Sequence, residues 1–531
     1  MKKALLYLAT VFVTSATITA QSFIVSIPDV KLKTCLVNDT LINLNRDTEI
    51  QVSEANTFTG KVQCSFSAID TITTLAGLDA FVNTRAIEVY GGFIFYADLS
   101  ANTNADSITF SSTRLDSVNI TGLSQLKAIN FRKNNLTKLD VSTNTALRDI
   151  DVQENKIRVL DTDNLVNLEK LNLYFNDSIS GIDISLNDSL KEFTVSRTVF
   201  PDTTFDLSNK PNLELISFSS TNISNLNLQN STNIKSIQLR SNQFSALDLS
   251  AFDSLISLSM QREYVNNLDF SNNLKLEYLY AWRCDLNSVN ISNNSKLESI
   301  NLQHNNLTVL ATENKPFLNN MAVEYNDITS LDISNDTSLE LFQVGFNKLT
   351  SITFLNNKNL TFFFASNNML TNIDLSPYPL VFFAHADSNN LQTFNIKNGN
   401  NVNFLDTFYF SAVGNPNLTC IQVDDTAYSN STWTRIDSIA SYSTNCNYVT
   451  SLEESTIENK LNIYPNPSSG IFNISTMENV QAVEVYGMNG QQIKGISIRE
   501  NEINLTEYPN GIYFVRVIAE NGLITKKLIK N

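Results

Sequence analysis

Apolar side chains recur with a spacing of about 21 residues, in units whose first positions run from Thr84 to Val402. Each unit begins L-x-x-L-x-L-x-x-N-x-L and closes with a short polar return rich in D-[LIV]-S-x-N. Counting from the first leucine, positions 1, 4, 6, 9 and 11 of one unit are Leu126, Ile129, Phe131, Asn134 and Leu136. Residues two apart share one face of a strand, so positions 4 and 6 predict a short strand with one buried face.

One unit of this size cannot bury its apolar face alone, whereas stacked neighbours bury it together. The consensus resembles that of leucine-rich repeats, which form solenoids. We therefore predict an α/β-type leucine-rich repeat solenoid with short parallel strands and little helix, capped at both ends. A small C-terminal antiparallel β-sandwich is expected to follow it.

Position 9 follows each strand, where the chain turns and its peptide groups lose their ladder partners. An asparagine amide there can satisfy them with two donors and an acceptor. Gly92 and Glu263 depart from asparagine at this position, and we expect local irregularity there. The unit from Leu190 has two extra residues, including Pro201, and is expected to bulge on its outer side. Nine units carry the asparagine, at Asn134, Asn155, Asn176, Asn242, Asn305, Asn326, Asn347, Asn368 and Asn389.

Composition and the N-terminal segment indicate which classes of partner are unsuitable and where the protein is located. The chain has 531 residues, a formal net charge of −16 and no basic cluster, which argues against nucleic acid as a partner. Lys2 and Lys3 precede an apolar stretch that ends near small residues at Ala20, which predicts a secretory signal peptide over residues 1–20. The alternative, a membrane anchor, fits less well because the stretch is short, and no later run approaches a transmembrane segment.

The cysteines sort by their place relative to the repeats. An exported chain can keep disulfides, and we predict Cys35–Cys64 before the repeats and Cys420–Cys446 after them, each stapling a cap. Cys284 lies at position 9 of the unit that begins at Leu276, so a buried free thiol is expected rather than a reactive one.

The N-terminal cap contains a segment that resembles an EF-hand calcium loop. Asparagine replaces aspartate at its first position and Thr48 replaces glycine at its sixth. Weak calcium binding is one hypothesis, and a capped turn entering a short helix over Val52 to Thr57 is the alternative. No other cofactor is predicted. The calcium ligands would be Asn43, Asn45, Asp47, Glu49 and Glu54.

The last part of the chain lacks the repeat and alternates in apolar character instead. Four strands are predicted, over Ile471 to Ser475, Ala482 to Tyr486, Gly511 to Ile518 and Ile524 to Ile529, within an antiparallel sandwich of about seven. With its Tyr464-Pro465-Asn466-Pro467 opening and its terminal Lys526-Lys527-Leu528-Ile529-Lys530, this segment resembles the type A C-terminal sorting domain of the type IX secretion system of Bacteroidetes.

That resemblance implies contact with the secretion machinery, passage across the outer membrane, and either surface attachment or release. The protein is therefore expected to be secreted or anchored at the outer cell surface, and an adhesive sandwich that is retained is the alternative. The body resembles secreted flavobacterial leucine-rich repeat proteins and, more loosely, internalin-type repeats. The expected order is signal peptide 1–20, N-terminal cap 21–83, repeats 84–413, C-terminal cap 414–446, linker 447–460 and sorting domain 461–531.

Positions 5, 7 and 8 of each unit are expected to face solvent on the inner curve of the sheet. Most are Asn, Ser, Thr or Gln, but one stretch is rich in aromatic residues and arginine, the types enriched in binding hot spots. Cross-strand paving of the sheet is the alternative. The candidates are Arg262, Tyr278, Tyr280, Trp282, Arg283, Gln303, His304, Tyr325, Phe346, Phe364 and His385, and Phe362 and Phe383 are expected beside them.

Catalysis is not expected. Nucleophilic catalysis needs a base beside the nucleophile, and the only two histidines, His304 and His385, lie four units apart. We therefore predict a binding protein that recognises a protein partner on its concave face, as an adhesin or interaction module. The alternative is polysaccharide binding, since flat aromatic rings and amides also suit sugars.

Overall fold

The computed structural model describes residues 23–67, 69–72, 74–177, 179–312, 314–446, 461–476, 480–487, 491–493, 497–499, 502–519 and 522–531. The predicted signal peptide and linker lie outside these residues. The chain divides into two compact units, Met1–Cys446 and Asn447–Asn531.

The first unit is a solenoid built on one long parallel sheet. Each strand pairs with the equivalent strand of the next coil, as stacking of the repeats predicts. The described strands of this sheet are Lys61–Ser65, Ala86–Tyr90, Ser107–Ser111, Ala128–Asn130, Asp149–Asp151, Lys170–Leu173, Glu192–Ser196, Leu215–Ser219, Ser236–Arg240, Ser257–Gln261, Tyr278–Trp282, Ser299–Asn301, Asn320–Ala322, Leu341–Gln343, Phe362–Phe364, Phe383–His385 and Phe410–Ser411.

The register of the sheet places the same repeat position in line from coil to coil. Leu258 pairs with Leu279, which pairs in turn with Ile300, and all three are buried. Their side chains belong to a single apolar cluster that runs from Val25 to Tyr442. The predicted solenoid core is confirmed.

A second set of short parallel strands lies on the return of the coils, where the sequence predicts only a polar turn. Their middle side chains, such as Leu268, enter the same core. These strands are Tyr96–Asp98, Ser117–Asn119, Thr204–Asp206, Asn225–Asn227, Asn267–Asp269, Ser288–Asn290, Ser330–Asp332, Ser351–Thr353, Asn372–Asp374, Thr393–Asn395, Cys420–Gln422 and Ser441–Ser443.

Helices are confined to the ends of the solenoid among the described residues. The α-helices are Val30–Asn38, Val52–Thr57 and Thr426–Thr432, and 3-10 turns occupy Leu78–Ala80 and Asn401–Asn403. Both predicted disulfides are confirmed, with Cys35–Cys64 at one end and Cys420–Cys446 at the other. Cys284 is free and buried, as predicted, and its burial raises the pKa of its thiol to about 12.

The asparagine at position 9 forms a hydrogen-bonded ladder inside the turn. Asn155 donates to the carbonyls of Phe131 and Val152 and accepts from the Leu136 N–H. The irregularity expected at Gly92 is confirmed, since its backbone is left-handed at a position where the asparagines of the other coils are not.

The irregularity expected at Glu263 is wrong. Strands Ser257–Gln261 and Tyr278–Trp282 pair in full register beside it. The Glu263 carboxyl group accepts the N–H groups of Asn242 and Phe244, so it replaces the acceptor function of the missing asparagine.

Two coils are longer than the 21-residue repeat by two or more residues. Pro201 is exposed on the coil that begins at Leu190, and the bulge expected there stays a prediction. The final coil corrects the sequence prediction, because the repeat spacing there gives a unit starting at Val402. Val402 and Leu405 are 61% and 63% exposed, and the last strand is Phe410–Ser411 instead. The extra residues fold back as the Asn401–Asn403 turn, which buries Phe404.

The second unit contains two antiparallel sheets, as predicted. Its described strands are Leu461–Tyr464, Ile471–Thr476, Val480–Gly487, Ser497–Arg499, Glu502–Asn504, Gly511–Ala519 and Gly522–Lys530. They enclose a separate small core that includes Phe472, Val515 and Leu528. No helix among the described residues has the length and apolar content to cross a membrane.

Candidate functional site

Position 8 is where the chain leaves each strand, and its backbone is left-handed in every coil from Gly91 to Ser388. The residue's N–H donates to the position 7 carbonyl of the next coil, as Arg262 does to Trp282 and Arg283 to Gln303. This bond extends the ladder beyond the strand and fixes the direction of the side chain. Bulky residues rarely adopt this conformation, so its repetition reflects the stacked backbone that surrounds it.

An Arg–aromatic row, defined here as Arg262, Trp282, Arg283, His304, Tyr325 and Phe346, follows this edge of the sheet. His304 stacks on Tyr325 with ring centroids 4.1 Å apart, and Tyr325 stacks on Phe346 at 4.2 Å. Trp282 meets His304 edge to face at 5.7 Å. The sequence prediction that these side chains lie together on the surface agrees with this geometry.

The arginines of the row lie against Trp282. The Arg283 guanidinium is 4.5 Å from the indole centroid and that of Arg262 is 5.8 Å from it, within range of cation–π attraction. Trp282 is half-buried, whereas Tyr325 and Phe346 are each 42% exposed. The stack therefore turns ring edges and charged groups outward, while most ring faces are covered by neighbours.

Three other predicted residues lie next to the row, two on the strand Tyr278–Trp282 and one just after the strand Ser299–Asn301. Tyr278 and Tyr280 have ring centroids 6.5 Å apart, and the Tyr278 hydroxyl donates to Glu298 at 2.7 Å. The Gln303 amide donates to Glu324, whose pKa is raised by burial. These side chains are half-buried, so part of each remains open to solvent.

Phe364 and His385 belong to a second group, nearer the C-terminal end of the sheet. They pair across neighbouring strands, and the His385 Nε2 atom lies 2.7 Å from the Phe408 carbonyl oxygen. The expectation that Phe383 adds to the exposed surface is wrong. Phe364, His385 and Phe408 cover its ring and leave it 4% exposed.

Burial lowers the pKa of both histidines, and Arg283 lowers that of His304 further. Both rings are therefore neutral at neutral pH. His304 serves as a flat stacking partner between Trp282 and Tyr325.

Sequence analysis missed a polar depression on the same face. Over four coils, from Thr194 to Gln261, the residues at positions 5 and 7 have no aromatic ring. In the next coil the same two positions are Tyr280 and Trp282. Most of the ring-free side chains line a hollow of about 360 Å³ that extends from Gln153 and Tyr174 to Ser259 and Gln261. A comparison of side-chain sizes along each position would have indicated it. Its polar lining is Gln153, Asn172, Tyr174, Thr194, Ser217, Ser219, Gln238, Arg240, Ser259 and Gln261.

The EF-hand-like segment folds into a turn closed by its own hydrogen bonds. Glu54 accepts the N–H groups of Leu44, Asn45 and Gln51, and Asp47 accepts donors from Asn45, Glu49 and Gln51. The Asn43 Oδ1 atom is buried without a partner. As arranged, the carboxylates face N–H donors and do not form an oxygen cage. No metal-binding group of three His, Cys, Asp or Glu occurs among the described residues.

Comparison with known proteins identifies the tail and the fold. Residues 462–531 match the family model described as secretion system C-terminal sorting domain, which confirms the predicted sorting domain. No curated protein matches the chain.

Several solved structures share the fold. The functional domain of InlJ from Listeria monocytogenes is 18% identical with a TM-score of 0.50, over 91% of this chain and 93% of that one. The leucine-rich repeat protein LIC12759 of Leptospira interrogans is 15% identical with a TM-score of 0.50, over 60% and 92%. The plant peptide hormone receptor RGFR1, in complex with RGF2, is 16% identical with a TM-score of 0.50, over 68% and 64%. The first unit is thus a leucine-rich repeat solenoid.

Proposed function

We propose that this chain is a secreted binding protein that recognises a protein partner through the Arg–aromatic row on its concave face. One observation carries the proposal. The row presents two guanidinium groups and a partly exposed aromatic stack side by side, on a sheet whose other positions are mostly small polar residues. Arginine, tyrosine and tryptophan are enriched among the few residues that carry most of the binding energy in protein interfaces.

The rigidity of the support favours binding. Every position 8 residue of the row donates its backbone N–H to the next coil, and the strands beneath pack on a continuous core. A preorganised surface loses little conformational entropy when a partner docks.

Polysaccharide binding is the second candidate, and the polar depression favours it. The hydroxyl and amide groups of Ser259, Gln238 and Gln261 are open to solvent and could bond to sugar hydroxyls. Stacking of a sugar on the rings of the row is less well supported. Tyr325 already stacks on His304 and on Phe346, and His304 lies between Tyr325 and Trp282.

The sorting-domain match supports export, since such a tail indicates secretion. We propose that the tail contacts the type IX machinery and that the solenoid acts outside the cell, attached or released.

The test compares the capture of a protein partner by the intact chain and by the Trp282→Ala, Arg283→Ala double variant. Both chains are also applied to a glycan array. The double variant is expected to lose protein binding with almost unchanged melting, because neither side chain is in the core. A matched control, Tyr96→Ala with Arg148→Ala, removes an exposed ring and an ion-paired arginine elsewhere and should bind normally. Equal affinity of the double variant and the control would overturn the proposal, and a hit on glycans alone would favour the second candidate.

A further inference from the structure

Three arginines on the concave face lack acidic partners. Arg240, Arg262 and Arg283 come from three successive coils and are exposed. None of them forms an ion pair with a described carboxylate. By contrast, Arg148, Arg197 and Arg435 pair with Glu169, Asp177 and Asp387 respectively. In a chain of formal net charge −16, a row of unpaired guanidinium groups is a local reversal of charge.

The polar depression continues this row without adding acidic groups. Arg240 lines it, and Gln261 lies in register between Arg240 and Trp282. Among the described residues that line the hollow there is no aspartate or glutamate. Within the described part of the chain, the side chains of Gln238, Ser259 and Gln261 have no hydrogen-bond partner, so their donors and acceptors are free for a ligand.

We propose that the depression and the three arginines together bind an extended acidic peptide segment of the protein partner. Its carboxylates lie against Arg240, Arg262 and Arg283, and its main chain crosses the amides and hydroxyls of the hollow. Guanidinium groups bind carboxylates with charge-assisted hydrogen bonds. This inference rests on the proposed function and specifies the chemistry of the partner.

The neighbouring rings favour a peptide over an acidic polysaccharide. Tyr325 and Phe346, two and three coils beyond Arg283, expose apolar edges that need apolar side chains opposite them. A peptide that alternates acidic and apolar residues offers carboxylates and apolar side chains, whereas a polyuronate offers carboxylates and hydroxyl groups but no apolar side chain.

The experiment uses the full chain and a fluorescein-labelled peptide that alternates glutamate with leucine and serine. Its glutamine counterpart and labelled alginate, a polyuronate, are the comparison probes. Binding is followed by fluorescence anisotropy. The glutamate peptide is expected to bind. Its affinity should fall as the salt concentration rises from about 0.05 to about 0.3 M, because salt screens exposed charges. The glutamine peptide is expected to bind at least about tenfold more weakly.

The triple variant Arg240→Gln, Arg262→Gln, Arg283→Gln is expected to bind the glutamate peptide at least about tenfold more weakly than the parent chain, since three charge pairs are lost. The matched control Arg148→Gln, Arg197→Gln, Arg435→Gln changes the net charge equally but removes arginines that are already paired. It should bind the peptide like the parent chain.

Equal weakening by both triple variants would overturn the inference, because it would show a general charge effect. No binding of the glutamate peptide, or alginate binding without peptide binding, would also overturn it. If the double variant Trp282→Ala, Arg283→Ala still loses the captured partner in that case, the proposed function stands and only the acidic chemistry fails.

Discussion

Replacing Glu263 with glutamine is expected to remove a pH-dependent loss of stability from the middle of the solenoid. Glu263 is 1% exposed and accepts two hydrogen bonds from Asn242 at 2.9 Å and a longer one from Phe244 at 3.3 Å. The nine coils that carry asparagine at this position bury a neutral amide there instead. The carboxylate is therefore the charged exception in a ladder of neutral groups.

The magnitude follows from the pKa of this group. Burial raises the pKa of Glu263 from 4.5 to about 7. A raised pKa in the folded state means that the folded chain holds its proton more tightly than the unfolded chain. The stabilisation is therefore complete below the unfolded value and is lost as the pH rises through the folded value. At 1.36 kcal/mol per unit, the loss is about 3 kcal/mol.

Hydrogen exchange measured by mass spectrometry is the suitable assay, because repeat proteins open locally. Near pH 4, below the unfolded pKa, the parent and Glu263→Gln should show the same opening free energy around Asn242 and Phe244, after correction for intrinsic exchange. Near pH 8 the variant should be protected on the order of a hundredfold more strongly in these coils. Glu277→Gln, on the partly exposed surface of the next coil, is the control and should leave the profile unchanged. Parallel profiles for the parent and Glu263→Gln would refute the reasoning.

Two further predictions concern stability and metal binding. Leu279→Ala removes a fully buried side chain from a central strand, so it should lower the unfolding free energy by about 2–5 kcal/mol in denaturant titrations while partner binding persists in the folded fraction; unchanged stability would contradict the stacked core. Calcium binding by the Asn43–Glu54 loop stays a prediction, because Glu54 would have to exchange its N–H donors for the ion. If calcium binds, the parent chain should melt at a higher temperature in millimolar calcium than in EDTA, and the Glu54→Gln variant should not. Identical melting of the parent chain in the two buffers would reject calcium binding.

The sequence predicted the solenoid well because its side-chain spacing directly determines register. Leu258, Leu279 and Ile300 share a repeat position and therefore share a rung. The prediction failed at Val402, where the chain departs from the spacing and a buried Phe404 anchors the cap instead. It also failed at Glu263, because a carboxyl group can accept the same N–H groups as an asparagine oxygen.

For the candidate surface, the sequence predicted which side chains point to the same side of the sheet but not how they pack against one another. Register places Trp282, His304 and Tyr325 on one edge, but it does not show whether their rings stack or spread. The burial of Phe383 and the hollow beside Arg240 both depend on the sizes of neighbouring side chains in three dimensions. Spacing alone carries no information on such depth.

The emission of Trp282 gives the most direct test of binding at the Arg–aromatic row. The chain has two tryptophans, and Trp433 is buried with its indole N–H bonded to the Phe404 carbonyl. In a Trp433→Phe variant, Trp282 becomes the only tryptophan reporter. Acrylamide should quench it in the free chain, and the captured partner should protect it in proportion to binding. Unchanged quenching at saturation with partner would show that the row is not the binding surface.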